Sequence, residues 1–258
     1  MRFDDQVVVV SGVGAGLGQA LVSALVREGA RVVLAARSMG KLESVAGSFP
    51  RAQTLCVATD IAREADCRHL AERTSDRFGR VDALINNAFQ LGPTSLLAEA
   101  DLNGDWSRAF EVNVKGSVRM VQALLPALTA SQGAVVMVNT IAMRCHKPGF
   151  ASYAISKGAL QTATRTLALE LAPRGVRVNA VIPGYIDGPP LQSAFAAIAD
   201  AEGVSAEDIR RRVTDCLPLG YSPTSGDVAE AALFLVSRRA RGITGAALDI
   251  NAGEYIPL

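Results

Sequence analysis

A chain of 258 residues that is 49% hydrophobic but only 5% aromatic has room for one large aliphatic core, a balance that suits a parallel sheet buried on both faces. A net charge of +1 gives no electrostatic case for nucleic acid or an anionic membrane as partner. Four scattered cysteines without a CxxC pair, and only two histidines, argue against a zinc site and a disulfide framework and favour a reduced, cytosolic chain.

The start, MRFDDQ, lacks the basic region of a signal peptide. Residues 6–26 carry no charge, but a Val run, a Gly cluster and an Ala/Leu/Val pattern follow one another, which reads as strand, turn and helix rather than as a membrane span. Val7–Val10 is the strand and Leu17–Glu28 the helix. Between them lies Ser11-Gly-Val-Gly-Ala-Gly-Leu-Gly18. Glycines let such a turn close tightly and bring the free amides of a helix N-terminus against a pyrophosphate. The spacing is Gly12-x-x-x-Gly16-x-Gly18 rather than GxGxxG. As the first strand-to-helix loop it reads as a nucleotide cradle, with Gly12, Ala15, Gly16, Leu17 and Gly18 as candidate contacts; a plain glycine-rich turn is the alternative.

The second strand, Arg31–Ala36, ends in Ala36-Arg37. An acidic residue there would bond an adenosine 2′-hydroxyl and repel a 2′-phosphate. Ala36 supplies no acid, and the guanidinium of Arg37 matches a phosphate bidentately. NADP is therefore favoured over NAD; the alternative leaves Arg37 on open surface or stacked on adenine. A helix from Met39 to about Gly47, a strand Thr54–Ala58 and a helix Glu64–Phe78 follow. Then come a strand Ala83–Ile85, a long helix Asp105–Leu128, and strands Ala134–Val138 and Val176–Val181 flanking another helix. The insertion from Gly188 to about Pro223 reads as irregular, and helix Gly226–Val236 and strand Ala247–Ile250 close the chain. This alternation implies right-handed crossovers and an α/β fold: a single-domain, doubly wound Rossmann parallel sheet with helices on both faces. One catalytic domain is expected over 1–258, with a mobile substrate flap at about 188–223.

Tyr153 and Lys157 lie four residues apart in the helical segment between the last two internal strands, so both leave one face. A tyrosine acts as a base near neutral pH only if its pKa falls by roughly 3 units, and a nearby ammonium in a partly dry site is a sufficient cause. A half-buried Tyr above a solvated Lys is the blander reading of the same spacing.

Several motifs in order resemble those of the short-chain dehydrogenase/reductase family over essentially the whole chain. Ser11–Gly18 resembles its TGxxxGxG loop with Ser for Thr, and Asn86-Asn87-Ala88 its NNAG, with Phe89 for the last Gly. Asp60-Ile61, Asn113 in EVNVKG, and Asn179-Ala-Val-Ile-Pro-Gly184 fall on further family positions. The resemblance implies that Tyr153 is the general acid/base, that Lys157 lowers its pKa and bonds the nicotinamide ribose, and that Asn113 holds a water in a proton relay. Thr140 falls where the family has its orienting serine and offers the same hydroxyl. Asp60 and Ile61 are implied adenine contacts, Asn87, Ala88, Pro183 and Gly184 further cofactor contacts, and the Ile186 backbone a partner for the carboxamide. Gly188 stands where the family has a cofactor-bonding Thr. Related chains pair long helices between subunits, and the apolar stripes of Asp105–Leu128 and Tyr153–Leu171 imply a homotetramer, with a dimer as runner-up.

The resulting expectation is an oxidoreductase interconverting a secondary alcohol and a ketone, with NADP(H) ahead of NAD(H). No G-x-S-x-G supports a hydrolase. A non-catalytic NADP-binding regulator should have lost Tyr153 or Lys157, and both are present. Phe89, Leu91, Ala142, Met143, Cys145, Tyr185 and the stretch Leu191–Ile198 are candidate pocket residues, mostly apolar, which suggests an apolar substrate (alicyclic, aromatic or lipid-like) without strong charge. Exposed loop charge is the simpler account of Arg144, His146 and Lys147, and a solvated helix face that of Arg210-Arg211-Arg212.

Overall fold

The computed structural model describes residues 3–256. In chain order the main elements are β1 (Val7–Ser11), α1 (Leu17–Arg27), β2 (Arg31–Ala36), α2 (Met39–Ala46), β3 (Thr54–Ala58), α3 (Glu64–Phe78) and β4 (Ala83–Asn86). After these come α4 (Asp105–Phe110), α5 (Ser117–Ser131), β5 (Ala134–Val138), α6 (Ala151–Leu171) and β6 (Arg177–Pro183). The last are α7 (Pro189–Glu202), α8 (Ala206–Thr214), α9 (Ser225–Val236) and β7 (Ala247–Ile250).

The seven strands form one parallel sheet in the order β3-β2-β1-β4-β5-β6-β7. The unbroken Val7–Val10 run is explained by a strand covered on both sides. Val8 and Val10 face a core shared with α1 and α9, while Val7 and Val9 face one shared with α3, α5 and α6. The order reverses its lateral growth between β1 and β4, so the loops leaving those strands diverge and open a crevice at their carboxyl ends.

Two expectations need correction. The long helix read over Asp105–Leu128 is not regular: α4 passes through a π-turn, Glu111–Gly116, into α5, which runs on to Ser131. The wide turn holds Asn113, fully buried, toward the loop after β4, while Met120, Val121 and Leu124 stay on the sheet. Nor is the 188–223 insertion irregular. Pro189-Pro190 open α7, in the first-turn positions where no amide donor is needed. A Ser205–Asp208 capping box opens α8. Phe195, Ala199 and Ile209 bury one another in a small core of their own.

Candidate active site

The crevice is built on contacts between the ends of β1 and β4. The Ser11 hydroxyl donates to Asn86 Oδ1 (3.3 Å) and accepts from the amides of Asn87 and Ala88 (3.2 and 3.3 Å). Asn87 Nδ2 donates to the Gly12 carbonyl at 2.8 Å. Gly12 has φ +73°, and a Cβ there would lie 2.4 Å from Ala88 Cα. Only glycine lets the turn and the strand end meet backbone to backbone. Gly16, φ +88°, caps α1.

Two cavities share Asn87 and Phe89 and together make one groove across the strand ends. The first, about 400 Å³, is lined by Gly12, Arg37, Asp60, Ile61 and Ala88 among the sequence-predicted residues. Ser38 and Lys41 line it too; a place one turn along α2 gave no sequence signal for Lys41. Asp60 is held in shape: its Oδ1 accepts from the Ala62 amide and its own amide donates to Asp66, each at 3.0 Å. The second cavity, about 220 Å³, brings together Ala15, Gly16, Leu17, Thr140, Tyr153, Lys157, Pro183, Gly184 and Ile186. Gly18 and Asn113 line neither. Gly18 lies behind the turn, where a Cβ would sit 2.7 Å from the Gly12 carbonyl oxygen.

Asn113 acts from beneath. Its Oδ1 accepts from the Gln90 amide (2.7 Å), and its Nδ2 donates to the Gln90 carbonyl and to Ser156 Oγ (2.8 Å each). Its carbonyl accepts from Ser117 Oγ at 3.0 Å. Asn139, unremarked in the sequence, ties β5 to α6: Nδ2 donates to the Lys157 carbonyl (3.2 Å) and Gln161 Oε1 (3.0 Å), and Oδ1 accepts from the Thr140 amide (3.0 Å). Thr140 Oγ1 accepts from the Ala142 amide at 3.2 Å.

Tyr153 and Lys157 point into the same cavity from successive turns of α6. Lys157 is 2% exposed, and its Nζ donates to the Val138 carbonyl at 2.7 Å and lies 5.8 Å from the centre of the Tyr153 ring. Burial pulls the Lys157 pKa down to about 7. The Tyr153 ring is half-buried, but its hydroxyl lies deep, and burial pushes its pKa up to about 12, the Thr140 side chain acting the other way. In the protein alone, dryness thus outweighs the pairing anticipated from their spacing. Phe89 tilts over Tyr153, ring centres 5.9 Å apart, and is 59% exposed.

The groove fits an extended dinucleotide. One end carries Arg37 and Lys41, a glycine turn at the start of a helix lies between, and the other end holds a buried ammonium with a single carbonyl partner among the described residues. A ribose hydroxyl beside Lys157 would complete the hydrogen bonding of that ammonium.

The loop between Thr140 and Tyr153 is anchored to the end of the chain. Arg144 pairs with Asp249 at 2.6 Å and lies over the Tyr255 ring at 4.9 Å. Lys147 bonds the Tyr185 hydroxyl, and burial raises the Glu254 pKa against the pull of Lys147. Arg144 and Lys147 are therefore not loose surface groups, whereas His146 is exposed as expected. Of the proposed pocket residues, Leu91 is partly exposed, whereas Phe195 is buried with Ala199 and Ile209. Among the described residues no helix is long and apolar enough to cross a membrane.

A family model described as enoyl-(acyl carrier protein) reductase matches residues 12–254. L-fucose dehydrogenase of Bos taurus is 32% identical over 255 residues, spanning 99% of this chain and 91% of that protein. A Brucella melitensis structure described as short-chain dehydrogenase/reductase SDR:glucose/ribitol dehydrogenase superposes with a TM-score of 0.89 at 26% identity, over all of both chains. A 3-ketoacyl-(acyl-carrier-protein) reductase from the same organism, complexed with NADH, superposes with a TM-score of 0.87 at 30% identity, over 99% of this chain and 100% of that one.

Proposed function

The chain belongs to the short-chain dehydrogenase/reductase family, and from that premise we propose that it interconverts a secondary alcohol and a ketone with NADP(H) as the preferred cofactor. One observation carries the reading: Thr140, Tyr153 and Lys157 converge in the same cavity, at the far end of the groove from Arg37. A bound nicotinamide would accept or supply the hydride. Arg37 and Lys41 would hold a 2′-phosphate, Asp60 and Ile61 would flank the adenine, and Gly12 and Gly16 would carry the diphosphate turn. Lys157 would hold the ribose, and Pro183, Gly184 and Ile186 would wall the nicotinamide. Tyr153 would move the proton at the substrate oxygen, with Thr140 orienting that oxygen. Phe89 beside Tyr153 gives the mouth an apolar wall, which supports a neutral alcohol or ketone. The relative named for fucose is consistent with an uncharged hydroxylated substrate. A cofactor-binding regulator needs neither Tyr153 nor Lys157, and the chain keeps both.

Cofactor choice is the sharpest test. A charge-assisted contact from Arg37 corresponds to a preference for NADP(H) of about tenfold to a hundredfold in kcat/KM. A panel of ketones and alcohols assayed with both cofactors is expected to show it. The double change Ala36→Asp with Arg37→Ala should invert it, because the carboxylate repels the phosphate and the attraction is gone. If the unmodified chain turns over equally well or better with NAD(H), Arg37 is a bystander.

A further inference from the structure

We propose that Ser225, the first residue of α9, donates its hydroxyl to the cofactor diphosphate. The proposal deepens the dinucleotide reading above and rests on it. At the glycine-turn end of the catalytic cavity the lining is otherwise aliphatic or glycine: Ala15, Gly16, Leu17, Ile186 and Gly188. Ser225 is the one hydrogen-bonding side chain at that end, the remaining polar lining being Asn87 and the group around Tyr153. It faces the start of α1 directly, with the hydroxyl 4.0 Å from where a Cβ on Gly16 would stand. The start of α1 is where amides point at an anion, so a diphosphate seated on those amides lies beside Ser225.

The neighbours of Ser225 are already committed. Thr224 Oγ1 accepts from the Asp227 amide at 3.2 Å, and Asp227 Oδ2 accepts from the Thr224 amide and hydroxyl at 2.7 Å each. That capping box fixes the end of α9 without using the Ser225 hydroxyl, which has no hydrogen-bond partner among the described residues. The end of the helix is anchored further by a bridge between Asp187 and Thr224 and by the Asp187 amide donating to the Pro223 carbonyl at 2.8 Å. Ser225 is thus a preset donor. Gly188 opposite adds no side chain, and a Cβ there would meet nothing nearer than Pro190 Cδ at 4.0 Å.

Isothermal titration of the full chain with NADPH and NADH tests the contact. Ser225→Ala should weaken both about tenfold, the size of one hydrogen bond to a charged group, with the melting temperature of the cofactor-free protein unchanged. Ser225→Thr, which keeps the hydroxyl, should bind within about threefold of the parent, and adenosine 2′-monophosphate, which lacks the diphosphate, should bind parent and Ser225→Ala alike. The proposal falls if Ser225→Ala binds both dinucleotides like the parent, if Ser225→Thr is as weak as Ser225→Ala, or if the 2′-monophosphate weakens in parallel. A parent chain that binds neither dinucleotide overturns the functional reading itself, and this contact with it.

Discussion

Tyr153 and Lys157 are displaced by burial in opposite directions, to about 12 and about 7, and the consequences run in opposite directions with pH. A phenol with so high a pKa is a proton donor at neutral pH, suited to a carbonyl oxygen. Reduction of a ketone should therefore hold level through neutral pH and fall only in alkali, whereas oxidation of the alcohol, which needs the phenolate, should rise with pH. Matched pH profiles of kcat/KM in both directions check this, and an oxidation rate independent of pH would refute it. Tyr153→Phe should cost orders of magnitude in turnover while leaving the dinucleotide Kd unchanged, as kinetics and titration will show. For stability, the unfolded chain keeps the lysine proton to about pH 10.4, while folded Lys157 loses it near 7. Between those values the unfolded state binds more protons, so this lysine destabilises the cofactor-free fold most below pH 7 and the cost fades as pH rises. Lys157→Met should then be more stable than the parent at pH 7, with the gap closing toward pH 10 in denaturant titrations; a constant gap would contradict the assignment. The pair itself was legible in the sequence because one helical turn places it. Asn139, Lys41 and Ser225 were not, since only the folded chain brings them to the groove.

Among the elements, the π-turn and the α7–α8 pair were the least legible. The apolar residues of 105–128 keep helical spacing on either side of the turn, so the extra residue leaves no trace in the periodicity; what reveals it is the bonding of Asn113 to Gln90 and Ser156. Proline inside a helix ends it, but Pro189-Pro190 stand at the first two positions of α7, where proline starts one. The strands, by contrast, were readable nearly to the residue, most plainly β1 and β5, where burial on both faces demands uninterrupted aliphatic runs. Asn113→Ala should take the side-chain partner from the part-buried amide and carbonyl of Gln90 and cost about 1–3 kcal/mol. For a chain of this length that lowers the melting temperature by roughly 2–12 °C, measurable by calorimetry. A melting temperature equal to that of the parent would mean that the π-turn does not depend on those bonds.

On the scale of the whole molecule, the outer surface of α6 and the free edge of β7 carry apolar groups left exposed among the described residues. Leu169 is 79% exposed and Ile155 42%, and Leu248 on β7 is 39% exposed. A Cβ on Gly158, between the two α6 residues, would meet nothing within 4 Å, leaving room for another backbone to approach. We expect these surfaces to pair in a homotetramer, and Leu169→Glu to reduce it to smaller species. Light scattering decides it, and a monomer at micromolar concentration for the parent chain would end the idea. The anchoring of the Thr140–Tyr153 loop by Arg144 to Asp249 and Tyr255 also has a practical side. Tyr255, which holds Arg144, stands three residues before Leu258, so an affinity tag or reporter fused to Leu258 follows closely on an anchor of the loop between Thr140 and Tyr153. One fused to Met1 is separated from β1 by residues 2–6, and the first residue of β1, Val7, lies at the opposite end of the strand from the glycine turn.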